Sequence, residues 1–172
     1  MNVYVREKIT SLDELIARRS TWAKYKKIGL AHGCFDVLTP AHIRFLMDSA
    51  CLCDVLIASV SSDAVAREIK GPSRPIFPLE DRIMHVASLE FIDFAIPCHE
   101  IDASEMIKVL SPITLLKGHD SIESTAPGFV RERSEANQGG GEVMYVVAGA
   151  QNHTTGLLEV LSRKHLSSAY SE

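Results

Sequence analysis

Residues 28–42 read IGLAHGCFDVLTPAH and contain the strand, turn and helix start that decide the fold. The apolar run 28–31 is short and ends at His32-Gly33, which is typical of a strand followed by a glycine turn. Pro40 suits the first position of a helix, because its missing N–H would have no helical partner there. Apolar residues then recur at helical spacing, at Ile43, Leu46, Met47 and Ala50.

The same alternation continues outward from this unit. Segment 54–60, DVLIASV, is apolar throughout and predicts a strand buried on both faces, as in a parallel sheet. The predicted elements after it are a helix at 78–89, a strand at 93–97, a helix at 103–110, a strand at 113–117, a helix at 127–137, a strand at 143–147 and a closing helix after Thr154. The sequence therefore predicts a single α/β domain, a Rossmann-like doubly wound parallel sheet of about five strands.

Domain bounds follow from this pattern. Ser11 and Glu14 fit a capping box and predict a short helix that covers an edge of the main body. We expect an N-terminal helical extension over 1–27, the main domain over 28–165 and a C-terminal tail over 166–172.

Composition excludes several function classes. The chain has 172 residues, 46% of them hydrophobic, and a formal net charge of −4, which argues against a nucleic-acid-coating protein. No apolar run approaches the roughly 18 residues that span a bilayer, and the first residues do not match a secretory signal. Four scattered cysteines indicate reduced, packed thiols. We expect a cytoplasmic protein with neither a nucleic-acid nor a membrane partner.

Ligands of open parallel sheets bind beyond the carboxyl ends of the strands. Segment 33–36 follows the first predicted strand, and His42 lies in the first turn of the helix after it. A glycine turn and a helix N-terminus present backbone N–H groups and a positive dipole end, which suit phosphate. The sequence thus predicts an anion site at this point.

These residues resemble a known family. Segment 33–42, GCFDVLTPAH, resembles the signature G-x-F-D-x-x-H-x-G-H of the cytidylyltransferase-like nucleotidyltransferases. Further segments match in the same order, namely SD at 62–63, KGPSRPI at 70–76, PLEDR at 78–82, KGHD at 117–120 and HTT at 153–155. Within this superfamily, KGPSRPIFPLEDR and the GGEV turn are most similar to the adenylyltransferase domain of the bifunctional heptose-phosphate enzymes of lipopolysaccharide synthesis.

The resemblance implies an activity and a site. The activity is transfer of a nucleotidyl group from ATP or CTP to a sugar phosphate or polyol phosphate with release of pyrophosphate, assisted by Mg²⁺ on the triphosphate, in a homodimer. The implied catalytic residues are His42, Lys70 and Thr39. The implied nucleotide-binding residues are Gly33, Cys34, Phe35, Asp36, Ala41, Arg74, Lys117, Gly118, Asp120, His153, Thr154 and Thr155. No resident metal site is implied.

Some of these residues have a second interpretation. Lys70 and Arg74 fall in a Gly/Pro-rich stretch that could close over the triphosphate, or they could be solvated loop charges. Asp120 either contacts ligand or holds its own loop through an Asx-type turn. Arg82 and Glu80 are predicted to be surface charges on a helix, whose ion pairs contribute little to stability, and stand outside the catalytic set.

The chain departs from the signature at two positions. Thr39 replaces the first histidine and Ala41 replaces the glycine. Threonine donates a neutral hydrogen bond but cannot carry the charge or shuttle the proton of an imidazole. Two hypotheses remain: a transferase of reduced rate, and a degenerate nucleotide-binding protein with a regulatory or assembly role.

Three histidines stand where the family has other residues: His32, His119 and His153. One of them could replace the missing imidazole, several could bind a transition metal, or they could be separate loop histidines. The segment Ala148-Gly149-Ala150 lacks the arginine that the cytidylyl branch often has there, which weakly favours adenine as the base. The sequence does not identify the phosphate acceptor.

Overall fold

A computed structural model describes residues 3–22, 26–111 and 113–147. Its helices are α1 (Val3–Lys8), α2 (Leu12–Trp22), α3 (Pro40–Ala50), α4 (Asp63–Lys70), α5 (Leu79–Ala87), α6 (Ser104–Leu110) and α7 (Pro127–Gln138). Its strands are β1 (Ile28–Gly33), β2 (Val55–Ser61), β3 (Phe94–Cys98), β4 (Thr114–Gly118) and β5 (Glu142–Val146). Among the described residues, no helix combines the length and apolar character needed to cross a membrane.

The five strands form one parallel sheet in the order β3-β2-β1-β4-β5. The chain runs from β1 to β2 and β3 on one side and then returns to place β4 on the other side of β1. Strand order therefore reverses between β1 and β4, and this reversal is the point at which such sheets bind ligands. The predicted doubly wound, Rossmann-like parallel sheet is confirmed.

Helices cover both faces of the sheet, which explains the continuous apolar strands. Every residue of β2 is buried. On one face, Leu15 of α2, Ile107 of α6 and Phe129 of α7 join the core with residues of β1, β2 and β4. On the other face, Leu46 of α3 and Val86 of α5 pack against the same strands. The inner strand β2 is thus buried on both sides, as expected in a parallel sheet, whereas the edge strand β5 has one buried residue, Val146.

The N-terminal extension is packed onto this sheet. Its capping box is present, since Glu14 N donates to Ser11 Oγ at 3.3 Å and Ser11 N donates to Glu14 Oε2 at 3.2 Å. Ile9 forms a parallel bridge with Ala95 of β3, which is an edge strand. The extension therefore covers a sheet edge.

One helix near the site is missing from the predicted elements. Residues 63–70 form α4, with Ser62 Oγ accepting a hydrogen bond from Val65 N at 3.4 Å. Lys70 is the last residue of this helix and is exposed, whereas the sequence predicted it inside a loop. The loop begins only at Gly71.

Candidate active site

Two chain segments meet at the carboxyl edge of the sheet, beside the point of strand reversal. β1 ends at Gly33, and the neighbouring β4 ends at Gly118. The turn that follows Gly33 and the turn that follows Gly118 therefore flank the same crevice. Sequence reasoning predicted both segments as nucleotide contacts, and the topology brings them together.

The turn after β1 is tight and built around Phe35. Its φ of 46° lies in the left-handed region, which costs a non-glycine residue on the order of 1 kcal/mol or more. The buried ring lies against Gly33, and its centroid is 6.2 Å from that of His42 in an edge-to-face contact. Phe35 thus packs the glycine turn against the start of α3, while Cys34 between them is partly buried.

The start of α3 is a capping box made by Thr39 and His42. Pro40 is the first helical residue and His42 lies in the first turn, as the sequence predicts, and the structure adds Thr39 as the N-cap residue. Thr39 N donates to His42 Nδ1 at 3.2 Å, and His42 N donates to Thr39 Oγ1 at 3.5 Å. The Thr39 side chain is only 2% exposed. Ala41 lies between them in the first turn and is partly buried.

Asp36 joins the glycine turn to the loop 71–78. Its carboxylate is 1% exposed and accepts hydrogen bonds from Ile76 N at 2.7 Å and Phe77 N at 3.1 Å. Its other oxygen forms an ion pair with Arg74 Nη2 at 2.7 Å. Two segments 40 residues apart in sequence are therefore held as one unit at the site.

Arg74 is buried, so its interpretation as a solvated loop charge is wrong. Its side chain is 9% exposed, and Nη1 has no hydrogen-bond partner among the described residues. A buried guanidinium N–H without a partner is costly unless a ligand accepts from it. The unpaired Nη1 is consistent with an anion in the crevice.

Arg82 is buried, so its prediction as a surface charge is wrong. The Arg82 side chain is 0% exposed and donates to Phe77 O at 2.9 Å, to Cys34 O at 2.6 Å and to Ser61 O at 2.7 Å. It also pairs with Asp63 Oδ1 at 2.7 Å. One side chain thus ties the glycine turn, the end of β2, the start of α4 and the loop 71–78. Glu80 is exposed on α5.

Lys117, at the end of β4, is held in a buried ion pair. Its Nζ lies 2.5 Å from Glu132 Oε2 of α7 and 5.2 Å from the centroid of the Phe129 ring. The other Glu132 oxygen accepts from Ala103 N at 3.0 Å, at the start of α6. Glu132 was not predicted to matter, yet it fixes the Lys117 ammonium beside the crevice.

His32 belongs to the same buried cluster. Its Nδ1 lies 2.9 Å from Ser59 Oγ, and its Nε2 lies 3.9 Å from Glu132 Oε1. Burial lowers the pKa of His32 from 6.5 to about 4, although the Glu132 carboxylate raises it, so the ring is neutral at pH 7. It faces α7, whereas His42 lies on α3 at the opposite face of the sheet.

Gly118 and Asp120 form the turn after β4. A Cβ on Gly118 would lie 2.5 Å from Asp120 Oδ1, so the carboxylate approaches the backbone only because residue 118 is glycine. Asp120 and His119 are exposed on a single 3-10 turn, His119–Ser121. Within the described ranges, no three His, Cys, Asp or Glu side chains form a group that could hold a metal ion.

His153, Thr154 and Thr155, together with the predicted closing helix, lie outside the described residues. The site as described therefore consists of the glycine turn, the start of α3, the loop 71–78 and the end of β4. Sequence reasoning missed Arg82 and Glu132 in it. Both stand on apolar helix faces, a signal that could have marked them as buried.

A comparison with family models decides the classification. Residues 30–167, most of the chain, match the model described as cytidylyltransferase-like. The chain belongs to the cytidylyltransferase-like family. The resemblance drawn from the signature at 33–42 and the later segments is confirmed.

Curated relatives of this cytidylyltransferase-like chain are bifunctional proteins. It is 33% identical over 141 residues to the bifunctional protein HldE of Pectobacterium carotovorum subsp. carotovorum (strain PC1), which is 82% of this chain and 28% of that protein. It is 37% identical over 127 residues to HldE of Campylobacter fetus subsp. fetus (strain 82-40), or 73% of this chain and 27% of that protein. The chain therefore spans about a quarter of the length of these relatives.

Solved structures agree with the fold. A lipopolysaccharide core biosynthesis protein from Thermoplasma volcanium GSS1 superposes with a TM-score of 0.59 at 28% identity, covering 74% of this chain and 99% of that one. A pantoate-beta-alanine ligase from Francisella tularensis, complexed with beta-gamma ATP and beta-alanine, gives a TM-score of 0.54 at 13% identity, covering 86% of this chain and 69% of that one. At that identity the second likeness concerns the fold alone.

Proposed function

We propose that this chain transfers a nucleotidyl group from ATP or CTP to a sugar phosphate or polyol phosphate and releases pyrophosphate. The observation that carries the proposal is the phosphate cradle at the strand reversal: a glycine turn, a helix that starts with His42, and the buried Nη1 of Arg74. Helix N–H groups, an imidazole donor and a guanidinium are the groups that stabilise a triphosphate. The sugar-phosphate acceptor is supported by the similarity to HldE proteins.

The reaction needs positioning more than covalent chemistry from the protein. An acceptor phosphate oxygen attacks the α-phosphorus in line, its new P–O bond forms, the bond to the β-phosphate oxygen breaks, and pyrophosphate leaves with the electron pair. His42 and the backbone N–H groups of 33–36 would stabilise the charge that develops on the α-phosphate. Lys70, at the end of α4, and Arg74 would contact the departing phosphates.

The other predicted site residues have supporting roles in this proposal. Asp36 holds Arg74 and the loop 71–78 rather than the nucleotide itself. Lys117, Gly118 and Asp120 line the opposite side of the crevice, where the nucleoside would lie. The Ala41 methyl adds bulk in the first turn of α3 and would limit the approach of the base.

His153, Thr154 and Thr155 are proposed to bind the triphosphate from the end of the chain. Seven peptide units between Val147 and Thr154 span up to about 23 Å when extended. β1 lies two strands from β5, at roughly 4.8 Å per strand. These residues can therefore reach the glycine turn, which supports the proposal.

Mg²⁺ is proposed to arrive on the nucleotide. Asp36 is occupied by Arg74 and two backbone N–H groups, and the described residues contain no cluster that could hold a metal. Mg²⁺ commonly binds phosphate oxygens and keeps several waters, so this set of side chains fits an ion carried by the triphosphate. When bound there it neutralises phosphate charge. A homodimer and a cytoplasmic location are further proposals from the family resemblance.

A second candidate is a degenerate nucleotide-binding protein with a regulatory or assembly role. The replacement of the first signature histidine by Thr39 favours it. Arg74 Nη1 is buried and has no hydrogen-bond partner in the part of the chain that the structure describes, which supports retained phosphate binding under both candidates.

The two candidates differ in pyrophosphate release. We expect release from Mg·ATP or Mg·CTP with a panel of sugar phosphates, abolished in His42→Ala and retained in His99→Ala, which alters an exposed histidine after the edge strand β3, two strands from β1. A nucleotide at 100 times its Kd should add about 2.7 kcal/mol to the free energy of unfolding. If nucleotide stabilises the protein but no pyrophosphate is released, the degenerate binder is favoured. If nucleotide neither stabilises the protein nor yields pyrophosphate, both candidates are contradicted.

A further inference from the structure

In the first turn of α3, Thr39 contacts His42. Thr39 replaces the first histidine of the family signature, and His42 matches the second. Thr39 Oγ1 lies 2.9 Å from His42 Nδ1, and Thr39 N donates to the same nitrogen at 3.2 Å. His42 N donates back to Thr39 Oγ1 at 3.5 Å. Both the backbone and the side chain of Thr39 are thus directed at one nitrogen of the ring.

The chemistry of these groups fixes the state of the ring. A backbone N–H can only donate, so Nδ1 must accept. A neutral imidazole has one acceptor nitrogen and one donor nitrogen, which places the proton on Nε2. Oγ1 accepts from His42 N through a lone pair, and with Nδ1 as an acceptor the 2.9 Å contact makes the Thr39 hydroxyl the donor. The two Thr39 donors and the His42 acceptor are therefore mutually consistent.

We propose that Thr39 is a positioning residue that acts through His42, holding Nδ1 as an acceptor so that the ring presents an Nε2–H donor to a phosphate oxygen. The identity of that oxygen rests on the proposed function, whereas the state of the ring does not. Thr39 is then neither a weak substitute for the missing histidine nor a direct phosphate ligand.

Burial of Thr39 supports the indirect role. Its side chain is 2% exposed, and its oxygen is part of the capping box. The chain also offers a matched capping box at α2, where Ser11 and Glu14 make the same exchange at a helix start away from the crevice. Ser11→Ala therefore measures what the loss of a similar helix cap costs at a place remote from His42.

The test is nitrogen-15 NMR of the histidine rings in the full chain, with His42 assigned by His42→Gln. The variants are Thr39→Val, which keeps the branched shape without the hydroxyl, and Thr39→Ser, which restores it. Ser11→Ala is the capping control. Pyrophosphate release with Mg·ATP or Mg·CTP and sugar phosphates is measured on each variant.

We expect the neutral His42 ring to carry its proton on Nε2 in the wild type, in Thr39→Ser and in Ser11→Ala. In Thr39→Val the backbone N–H is the one remaining Thr39 donor to Nδ1, so we expect the proton to stay on Nε2 but the ring to be less firmly held, with a loss of about tenfold or more in kcat and little change in KM. Thr39→Ser should stay within about twofold of the wild type.

A proton on Nδ1 in the wild type, or a Thr39→Val variant whose ring mobility and kcat match those of the wild type, would overturn the proposal. A similar change in Ser11→Ala would overturn it as well, because the effect would then come from general loss of stability. Failure of the wild type to bind either nucleotide would contradict the transferase proposal while the ring measurement stands, so the two failures are distinguishable.

Discussion

Two charged residues on apolar helix faces organise the site. Arg82 shares its face of α5 with Leu79, Ile83 and Val86, and Glu132 shares its face of α7 with Phe129 and Ala136. Sequence reasoning treated Arg82 as a surface charge because arginine is mostly exposed. Its position at helical spacing within the apolar stripe points to burial instead, since a charge in that position must be paired or bonded. The family signature cannot show this.

Removal of Arg82 should cost several kcal/mol. Arg82→Met keeps the length of the side chain but leaves three carbonyl oxygens and Asp63 without their donor. We expect the free energy of unfolding to fall by about 3 kcal/mol or more in urea denaturation. The control Arg67→Met changes an exposed arginine on α4 and should stay within about 0.5 kcal/mol. Equal effects of the two substitutions would contradict this assignment.

His32 should make stability fall at mildly acidic pH. Its pKa is about 4 in the folded protein and 6.5 in the unfolded chain, so the unfolded chain binds the proton more readily. Stability due to neutral His32 is complete above pH 6.5 and declines as the pH falls towards 4, by about 2 kcal/mol between pH 7.5 and pH 5. Glu132, Asp102 and Lys117 are the charges that surround it.

The measurement is urea denaturation of the wild type and His32→Gln across this range. The variant should lose about 2 kcal/mol less than the wild type between the two pH values. His99→Gln, at an exposed histidine, should follow the wild type. If the free energy of unfolding of His32→Gln changes with pH in the same way as that of the wild type, His32 is not the cause of the loss of stability.

At the scale of elements, the five predicted strands and the predicted helices that correspond to α2, α3, α5, α6 and α7 are confirmed, whereas α1 and α4 were not predicted. β1 and β2 were predictable because their apolar runs have no helical period, and α3 because Pro40 and the apolar spacing agree. α4 has only eight residues, and its resemblance to a loop came from the Gly and Pro that follow it. Likewise α1, with six residues, is too short for a periodic signal.

The loop 71–78 should depend on Asp36 for its order. Asp36→Asn keeps an acceptor oxygen but removes the charge that pairs with Arg74. We expect faster hydrogen exchange at Ile76 and Phe77 and at least tenfold weaker binding of Mg·ATP or Mg·CTP, because the loop and Arg74 are no longer fixed. Nucleotide should protect this loop in the wild type.

Asp93→Asn is the matched control for this experiment. Asp93 Oδ2 accepts from Leu56 N at 2.8 Å, so it is also a carboxylate that holds backbone, but at the opposite end of the sheet. It should change exchange near β2 and leave the loop 71–78 and nucleotide binding as they are. Equal exchange of Ile76 and Phe77 in Asp36→Asn and the wild type would contradict the role of Asp36.

For the whole molecule, the alternation of strands and helices was enough to predict the sheet but not the buried ion pairs beside it. Parallel order and right-handed crossovers follow from the strand and helix sequence, and they place the site at the reversal between β1 and β4. The buried contacts of Asp36, Arg74 and Lys117 link segments far apart in sequence. Such contacts depend on packing, so no local pattern revealed which of these charges face ligand and which hold the structure.

The packing of α1 and α2 has a consequence for the solubility of shortened chains. The family match starts at residue 30, yet Ile9 bridges Ala95 on the edge strand β3 and Leu15 is fully buried in the core. A chain that begins at Ile28 would bare the backbone donors and acceptors of β3, which form a template for another copy, and would lose about 2 kcal/mol or more with Leu15 alone. We expect it to self-associate in light scattering and sedimentation, whereas Leu15→Ala in the full chain should lose stability without forming larger species.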